Sequence, residues 1–326
     1  MSRRRSTLVV AVLLLGASRL PAVELAEGVE LLAGSFVAGR QPDGNTVVLT
    51  GSDGLIVVDT GRHDEHTRRI VEFARAAGQP VRFVVNTHWH LDHVGGNPSL
   101  RREFPRARVV SSDAIRGAMR GFLADYRRQL EQLVSEAETD EAARPYRSEL
   151  AILDAGEALA PDDVVTGSGP RELAGRKLEI HLERYAVTAG DLWIHDPASR
   201  IVIAGDLVTL PAPFLDTACP DGWSASLARI ADVDFTLLVP GHGPPLDRAG
   251  LARYRSAFDG LLACAASEES RQRCVDGWID GGGELIAASD RELARAVVGY
   301  YVEQVLRGDP AQTAARCPPA GGDGLR

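Results

Sequence analysis

Residues 81–96 read Val81-Arg82-Phe83-Val84-Val85-Asn86-Thr87-His88-Trp89-His90-Leu91-Asp92-His93-Val94-Gly95-Gly96, and this stretch decides the reading of the chain. The apolar run from Val81 to Asn86 predicts a buried strand that delivers Thr87 and the polar cluster behind it. His88, His90, Asp92 and His93 then fall within six consecutive positions, followed by two glycines. On a loop, side chains at that spacing fold around two neighbouring points, offering two imidazoles to one and a carboxylate with an imidazole to the other. Zinc takes such ligands. Without a cation, four titratable groups this close would repel one another or lie unpaired, so the pattern is poorly explained as a polar turn.

Outward from the cluster, the chain alternates strands and helices. Upstream, short β-rich runs at Val29–Ala33, Thr46–Thr50 and Leu55–Asp59 read as a meander. Residues 64–78 carry Ile70, Val71, Phe73 and Ala74 on one side and end in Gly78, the pattern of an amphipathic helix. Downstream, a short helix near 96–104 and a strand at 107–110 precede a charged amphipathic stretch, 113–158, expected as a helical insertion. Strands are expected at 177–187, 191–195 and 201–205, a helix near 223–231, and a strand from Phe235 to Val239 that runs into Pro240-Gly241-His242-Gly243. Residues 251–326 read as a helical C-terminal extension with a loose tail after 309.

The chain has 326 residues, 44% of them hydrophobic, enough for a large buried core. Arg3, Arg4 and Arg5 followed by the uncharged apolar run Leu8–Ala17 read as a secretion signal over residues 1–22, too short to span a bilayer comfortably. Its removal deletes four arginines and no acid, so the net charge moves from −9 to (36 − 4) − 45 = −13. A nucleic-acid partner is thereby disfavoured, and the mature chain is expected in the periplasm or outside the cell, with no membrane span. Cys219, Cys264, Cys274 and Cys317 form no C-x-x-C pattern, so disulfides are expected of an exported chain. Four cysteines permit three connectivities, which the sequence alone does not decide; the one expected joins Cys264 to Cys274 across a helical hairpin and Cys219 to Cys317.

The cluster and three further motifs resemble the metallo-β-lactamase superfamily of hydrolases over about residues 25–250. His88, His90, Asp92 and His93 match its H-x-H-x-D-H motif, Asp59-Thr60-Gly61 its D-T-G turn, Gly205-Asp206 its G-D, and Gly241-His242-Gly243 its terminal G-H-G. The resemblance implies an α/β fold, an αββα sandwich, here with the helical insertion and C-terminal extension. It also implies that His88 and His90 bind a first metal, that Asp92, His93 and His242 bind a second, and that Asp206 bridges the two. Asp59 would orient a histidine or the motif loop. An aspartate at 206 looks more like the glyoxalase II and phosphodiesterase branches than the cysteine-containing β-lactamases.

One departure matters. Where the family supplies a third histidine to the first metal from an H-T-P-G-D segment, this chain reads Val187-Thr188-Ala189-Gly190-Asp191. His181 would lie nearly 20 Å away along the strand; His63, His66 and His195 are weighed as replacements and, like His181, read as structural or solvent-facing. The expectation is therefore one or two zinc ions, with a tight second site and a weak or empty first one. The function implied is metal-dependent hydrolysis of a small ester, thioester, lactam or phosphodiester by a metal-bound hydroxide, with Asp92 or Asp206 orienting the water and receiving its proton. The alternative is a non-catalytic metal-binding protein of the same fold. The insertion and the 210–214 loop are expected to wall the pocket, with Tyr126, Phe122 and Phe214 read as core, Trp89 as packing beneath the loop, and Asn86 and Asn97 as loop braces.

Overall fold

The computed structural model describes residues 22–36 and 40–318; the expected secretion signal, apart from Ala22, lies outside them. Two sheets face each other. The first runs β1 (Val23–Ala26), β2 (Val29–Leu32), β3 (Thr46–Gly51), β4 (Gly54–Val58), β5 (Val81–Val85), β6 (Arg108–Ser111) and β7 (Asp163–Val164) in spatial as well as chain order. Pairing is antiparallel as far as β4 and parallel beyond it. The second is ordered β12 (Leu237–His242), β11 (Ile201–Thr209), β10 (Asp191–Asp196), β9 (Arg176–Glu183) and β8 (Gly169–Leu173), antiparallel except for β11 with β12.

The alternation of side chains explains the layering. From β4, Ile56 and Val58 point between the sheets with Val47, Leu49, Val85, Ile180, Leu192, Ile194 and Val239. Leu55 and Val57 point the other way, against Ile70, Val71 and Ala74 of α1 (Asp64–Ala77) and Leu100 of α3 (Asn97–Glu103). A strand buried on both faces needs such an unbroken apolar run. On the far side of the second sheet, Val202, Ala204 and Val208 pack with Trp223 and Leu227 of α7 (Pro220–Asp232) and with Tyr254 and Phe258 of α8 (Arg248–Ala265). The result is the expected αββα sandwich.

Residues 113–158 supply α4 (Ala114–Arg120), α5 (Phe122–Glu136) and α6 (Asp140–Asp154). Leu123, Leu130 and Leu153 close over Trp89, Leu91 and Val94, so these helices cover the motif loop directly. The C-terminal region adds α9 (Arg271–Gly282), α10 (Arg291–Tyr301) and α11 (Pro310–Arg316). Cys264–Cys274 joins α8 to α9, and Cys219–Cys317 ties the chain's end to the segment before α7. The tail expected to be loose from 309 is therefore helical through 316: Asp309 caps it, accepting from the Ala311 amide, and the disulfide anchors it. Among the described residues no helix is long and apolar enough to cross a membrane.

A second difference bears on the site. The strand expected over 177–187 ends at Glu183, because Tyr185 takes a left-handed φ of 57° and the chain turns inward. Ala186 and Val187 are thus fully buried in the core beside Trp193 instead of continuing the face of His181.

Candidate metal centre

The motif residues gather along one rim of the sandwich. His88 and His90 follow β5, Asp92 and His93 lie in the short helix α2 (Leu91–Val94), Asp206 lies within β11 where its register against β12 shifts, and His242 ends β12. They form two groups of potential ligands, His88 with His90 and Asp206, and Asp92 with His93 and His242; within each group the ligand atoms lie within 4.8 Å of one another. The groups adjoin through Asp206, whose Oδ1 is 3.3 Å from His93 Nε2 and 3.6 Å from His242 Nε2, while its Oδ2 is 3.7 Å from His88 Nε2. Gly241 makes this close: a Cβ there would lie 1.9 Å from Asp206 Oδ1. Likewise a Cβ on Gly44 would lie 2.5 Å from the His93 ring.

A proton inventory shows what the groups are prepared for. The Thr87 hydroxyl donates to Asp59 Oδ2 at 2.8 Å, so toward His88 Nδ1, 2.9 Å away, it can only accept. His88 therefore carries its proton on Nδ1. Thr217 repeats the arrangement: its hydroxyl donates to the Val187 carbonyl at 2.9 Å and accepts from His90 Nε2 at 3.0 Å. The remaining nitrogens, His88 Nε2 and His90 Nδ1, then face each other at 2.9 Å as two lone pairs. His93 donates from Nδ1 to Asp59 at 2.8 Å, and its Nε2, like Asp206 Oδ1, is buried without a hydrogen-bond partner. Lone pairs converging on one point in a buried site are repulsive unless a cation lies among them. Nitrogen and carboxylate donors in this number suit a zinc-type ion.

Electrostatics agree. Burial, then the neighbouring histidines, hold His88 well below its ordinary pKa; burial first lowers His90 to about 4. Both are thus in the neutral form that binds a metal. Burial opposes ionisation of Asp92 and Asp206, but the facing histidines outweigh it and keep both carboxylates well below their usual range. His93 is the opposite case: despite burial, Asp206, Asp59 and Asp92 raise its pKa well above 6.5.

Asp59 adopts a left-handed φ of 61° and accepts from the Thr87 amide, the Thr87 hydroxyl and His93, which fixes both the loop and the ring. Asn86 donates to the His93 carbonyl at 2.9 Å and to Asn97, bracing the turn. None of the four histidines considered as replacements enters either group. His63 bonds Asp43 at 3.0 Å, His66 bonds Thr46 at 2.8 Å, His195 faces Glu179 at 3.0 Å, and His181 stacks on Trp193 at 3.6 Å.

Several contributors carry no sequence signal. Arg62, directly after the D-T-G turn, pairs with Glu149 of α6 and lies 3.6 Å from Asp92, and Tyr126 donates to Glu149 at 3.3 Å. Thr217, which holds His90, sits in an unremarkable loop. Phe36 packs its ring 5.2 Å from that of His242. The expectation that Tyr126, Phe122 and Phe214 are core fails for Phe122 and holds in part for the other two, which are partly buried against the core. Phe122 is 41% exposed because it opens α5 at the rim, Phe214 is half-buried against His90, and Tyr126 keeps its hydroxyl in the Arg62–Glu149 pair. Trp89 does pack beneath the loop, among the insertion helices.

Two adjoining His/Asp groups that could hold a metal lie at one rim of an αββα sandwich. The profile of the metallo-beta-lactamase superfamily matches residues 39–242, and the chain belongs to that superfamily. A linear primary-alkylsulfatase from Pseudomonas sp. is 25% identical over 224 residues, 61% of this chain but 41% of that protein's length. A hydroxyacylglutathione hydrolase from Synechococcus sp. is 44% identical over 45 residues, 14% of this chain and 18% of that one. The chain thus matches less than half of either relative. Among solved structures, a metallo-beta-lactamase from Pontibacter korlensis superposes with a TM-score of 0.55 at 21% identity, covering 73% of this chain and 98% of that one. At that identity it speaks for the fold alone.

Proposed function

We propose that the protein is a metal-dependent hydrolase, exported to the periplasm or beyond, that cleaves a small ester, thioester, lactam or phosphodiester with zinc as its resident ion. The observation that carries this reading is the pair of lone pairs on His88 Nε2 and His90 Nδ1, 2.9 Å apart with both outer nitrogens already committed. The alkylsulfatase and the hydroxyacylglutathione hydrolase are hydrolytic relatives by name, which supports the reaction class. Both disulfides suit an oxidising compartment.

His88, His90 and Asp206 would hold one ion, and Asp92, His93 and His242 a second, with Asp206 shared. A zinc-type ion supplies Lewis acidity there, polarising the substrate's oxygen and making water acidic enough to ionise near neutral pH. The protein's residues do the positioning. Asp59 and Thr87 orient His93 and His88, and Thr217 orients His90. Asp92, whose Oδ2 is 2.9 Å from His242 Nε2, or Asp206 would orient water and receive its proton. The first group has three donors and no fourth among the described residues, because Val187 is turned into the core. We infer that the second group binds its ion tightly and the first weakly.

Metal analysis after dialysis, with hydrolysis of ester, thioester, lactam and phosphodiester panels, tests this. One tightly held transition-metal ion per chain, and activity lost on chelation, are expected; Val187→His should raise the content toward two. Absence of stoichiometric metal, or activity indifferent to chelation, refutes the reading. Stoichiometric metal without turnover on any panel would favour the non-catalytic alternative.

A further inference from the structure

We propose that the substrate carries an apolar alkyl or aryl group, which lies on a wall of aromatic rings at the His90 end of the centre. The inference rests on the hydrolase reading and extends it to substrate class. Trp89 meets the His90 ring edge-on at 4.6 Å, and Phe122 lies 5.6 Å from Trp89. On the other side Phe214 meets His90 at 5.0 Å, Tyr301 meets Phe214 at 6.1 Å, and Tyr300 meets Tyr301 at 5.2 Å. These rings come from four separate pieces of chain: the motif loop, the start of α5, the loop after β11 and the end of α10.

Scattered exposed apolar residues are ordinary, whereas accessible rings on both sides of a ligand cluster call for a partner. Phe122 is 41% exposed on one side of His90, Phe214 is half-buried on the other, and Tyr300 is 50% exposed beyond it, with Trp89 and Tyr301 buried behind them as backing. The polar atoms along it are engaged: Tyr301 donates to Asp216 at 3.3 Å and Thr217 to Val187 at 2.9 Å. Next to His90 the wall therefore presents carbon, from Phe122 and Phe214. It is also fixed in advance, because the Phe214 loop is held by Trp278 donating to the Pro211 carbonyl at 3.0 Å, by Arg316 donating to the Asp216 carbonyl at 3.3 Å, and by Cys219–Cys317. A preformed apolar surface favours a substrate by the area it covers, without a cost for ordering the loop. With an acyl ester, one water is consumed, the acyl–oxygen bond breaks, and the free acid and the alcohol leave, the alcohol taking a proton from the water.

Two homologous series test the wall on the zinc-loaded protein: p-nitrophenyl alkanoates from acetate to octanoate for kcat/KM, and n-alkyl phosphonates of the same lengths for affinity by calorimetry. Both quantities should rise about twofold per methylene, as for partial burial of each CH2. The slope should fall in Phe122→Ala and flatten in Phe122→Ala/Phe214→Ala, with Phe122→Leu retaining more of it than Phe122→Ala. Slopes are read, so a general loss of activity or fold does not imitate the result. A wild-type slope of zero in the phosphonate series, or one that survives the double substitution, overturns the proposal. A phosphonate slope that the variants abolish, with no ester of any length turned over, supports the wall and refutes ester hydrolysis.

Discussion

Removing the Glu149 carboxylate should destabilise the protein far more than loss of a surface ion pair. Arg62 and Glu149 have side chains only 9% and 8% exposed, and Arg62 Nε is buried with no partner. Asp92, the other carboxylate in reach, stands 3.6 Å away and is already drawn to His242 at 2.9 Å. A guanidinium does not escape by deprotonation, and here Asp92 and Glu149 hold its pKa above the ordinary value against burial. Glu149→Ala therefore leaves a buried charge without its main partner, at a cost of about 3–5 kcal/mol. In a chain of this size that lowers Tm by roughly 5–8 °C. Urea unfolding and thermal melts of the metal-loaded protein measure it. Glu149→Gln, which keeps a hydrogen-bond acceptor, should lose less, and Arg62→Met/Glu149→Leu should return near wild-type stability because it removes both charges. A Glu149→Ala variant within about 1 kcal/mol of wild type would refute the argument, since exposed pairs are worth that little. It would mean that α6 is not fastened to the metal-ligand loop through this pair.

Other measurements probe the supports around the centre. Thr217→Val removes the acceptor for His90 Nε2 while keeping the shape, and should weaken binding of the more weakly held ion about 10–100-fold in a chelator competition, with the tight ion unaffected; equal affinities would dismiss Thr217 as a positioning residue. Burial lowers His66 from 6.5 to about 4, so the unfolded chain binds the proton first. Stability is full above pH 6.5 and is lost as pH falls toward 4, by about 3 kcal/mol. His66→Gln, able to keep the bond to Thr46, should flatten that limb of the stability curve, and a limb of unchanged slope would contradict the assignment. The loop closed by Cys219–Cys317 spans 98 residues and that by Cys264–Cys274 spans 10. Replacing each pair by alanine should cost about 4–5 and 2–3 kcal/mol respectively in denaturant melts; the reverse order would show that chain entropy does not govern here.

What was legible in the sequence, and what was not, follows from how narrowly the chemistry restricts each position. A metal ligand must be one of a few residue types, and here each candidate sits behind a strand, at its end or, for Asp206, within it. His88, His90, Asp206 and His242 therefore announce themselves as polar residues directly behind or within apolar runs, and the order of the runs gives the sandwich. The supports are under no such restriction. Any hydroxyl in the right place could orient His90, and Thr217 reaches it across 127 positions, while Arg62 and Glu149 are 87 apart. Phe122 reads as core because an aromatic in an amphipathic stretch usually is; its exposure depends on how the insertion docks, which no local periodicity encodes. Val187 joins the two cases. The sequence shows that an imidazole is missing there, but not that the chain turns inward at Tyr185 and lends the Val187 carbonyl to Thr217, and so to the orientation of His90. The position that fails to supply a ligand to the first group helps to aim one of those that remain, so Val187→His must supply its new nitrogen without disturbing the carbonyl behind it.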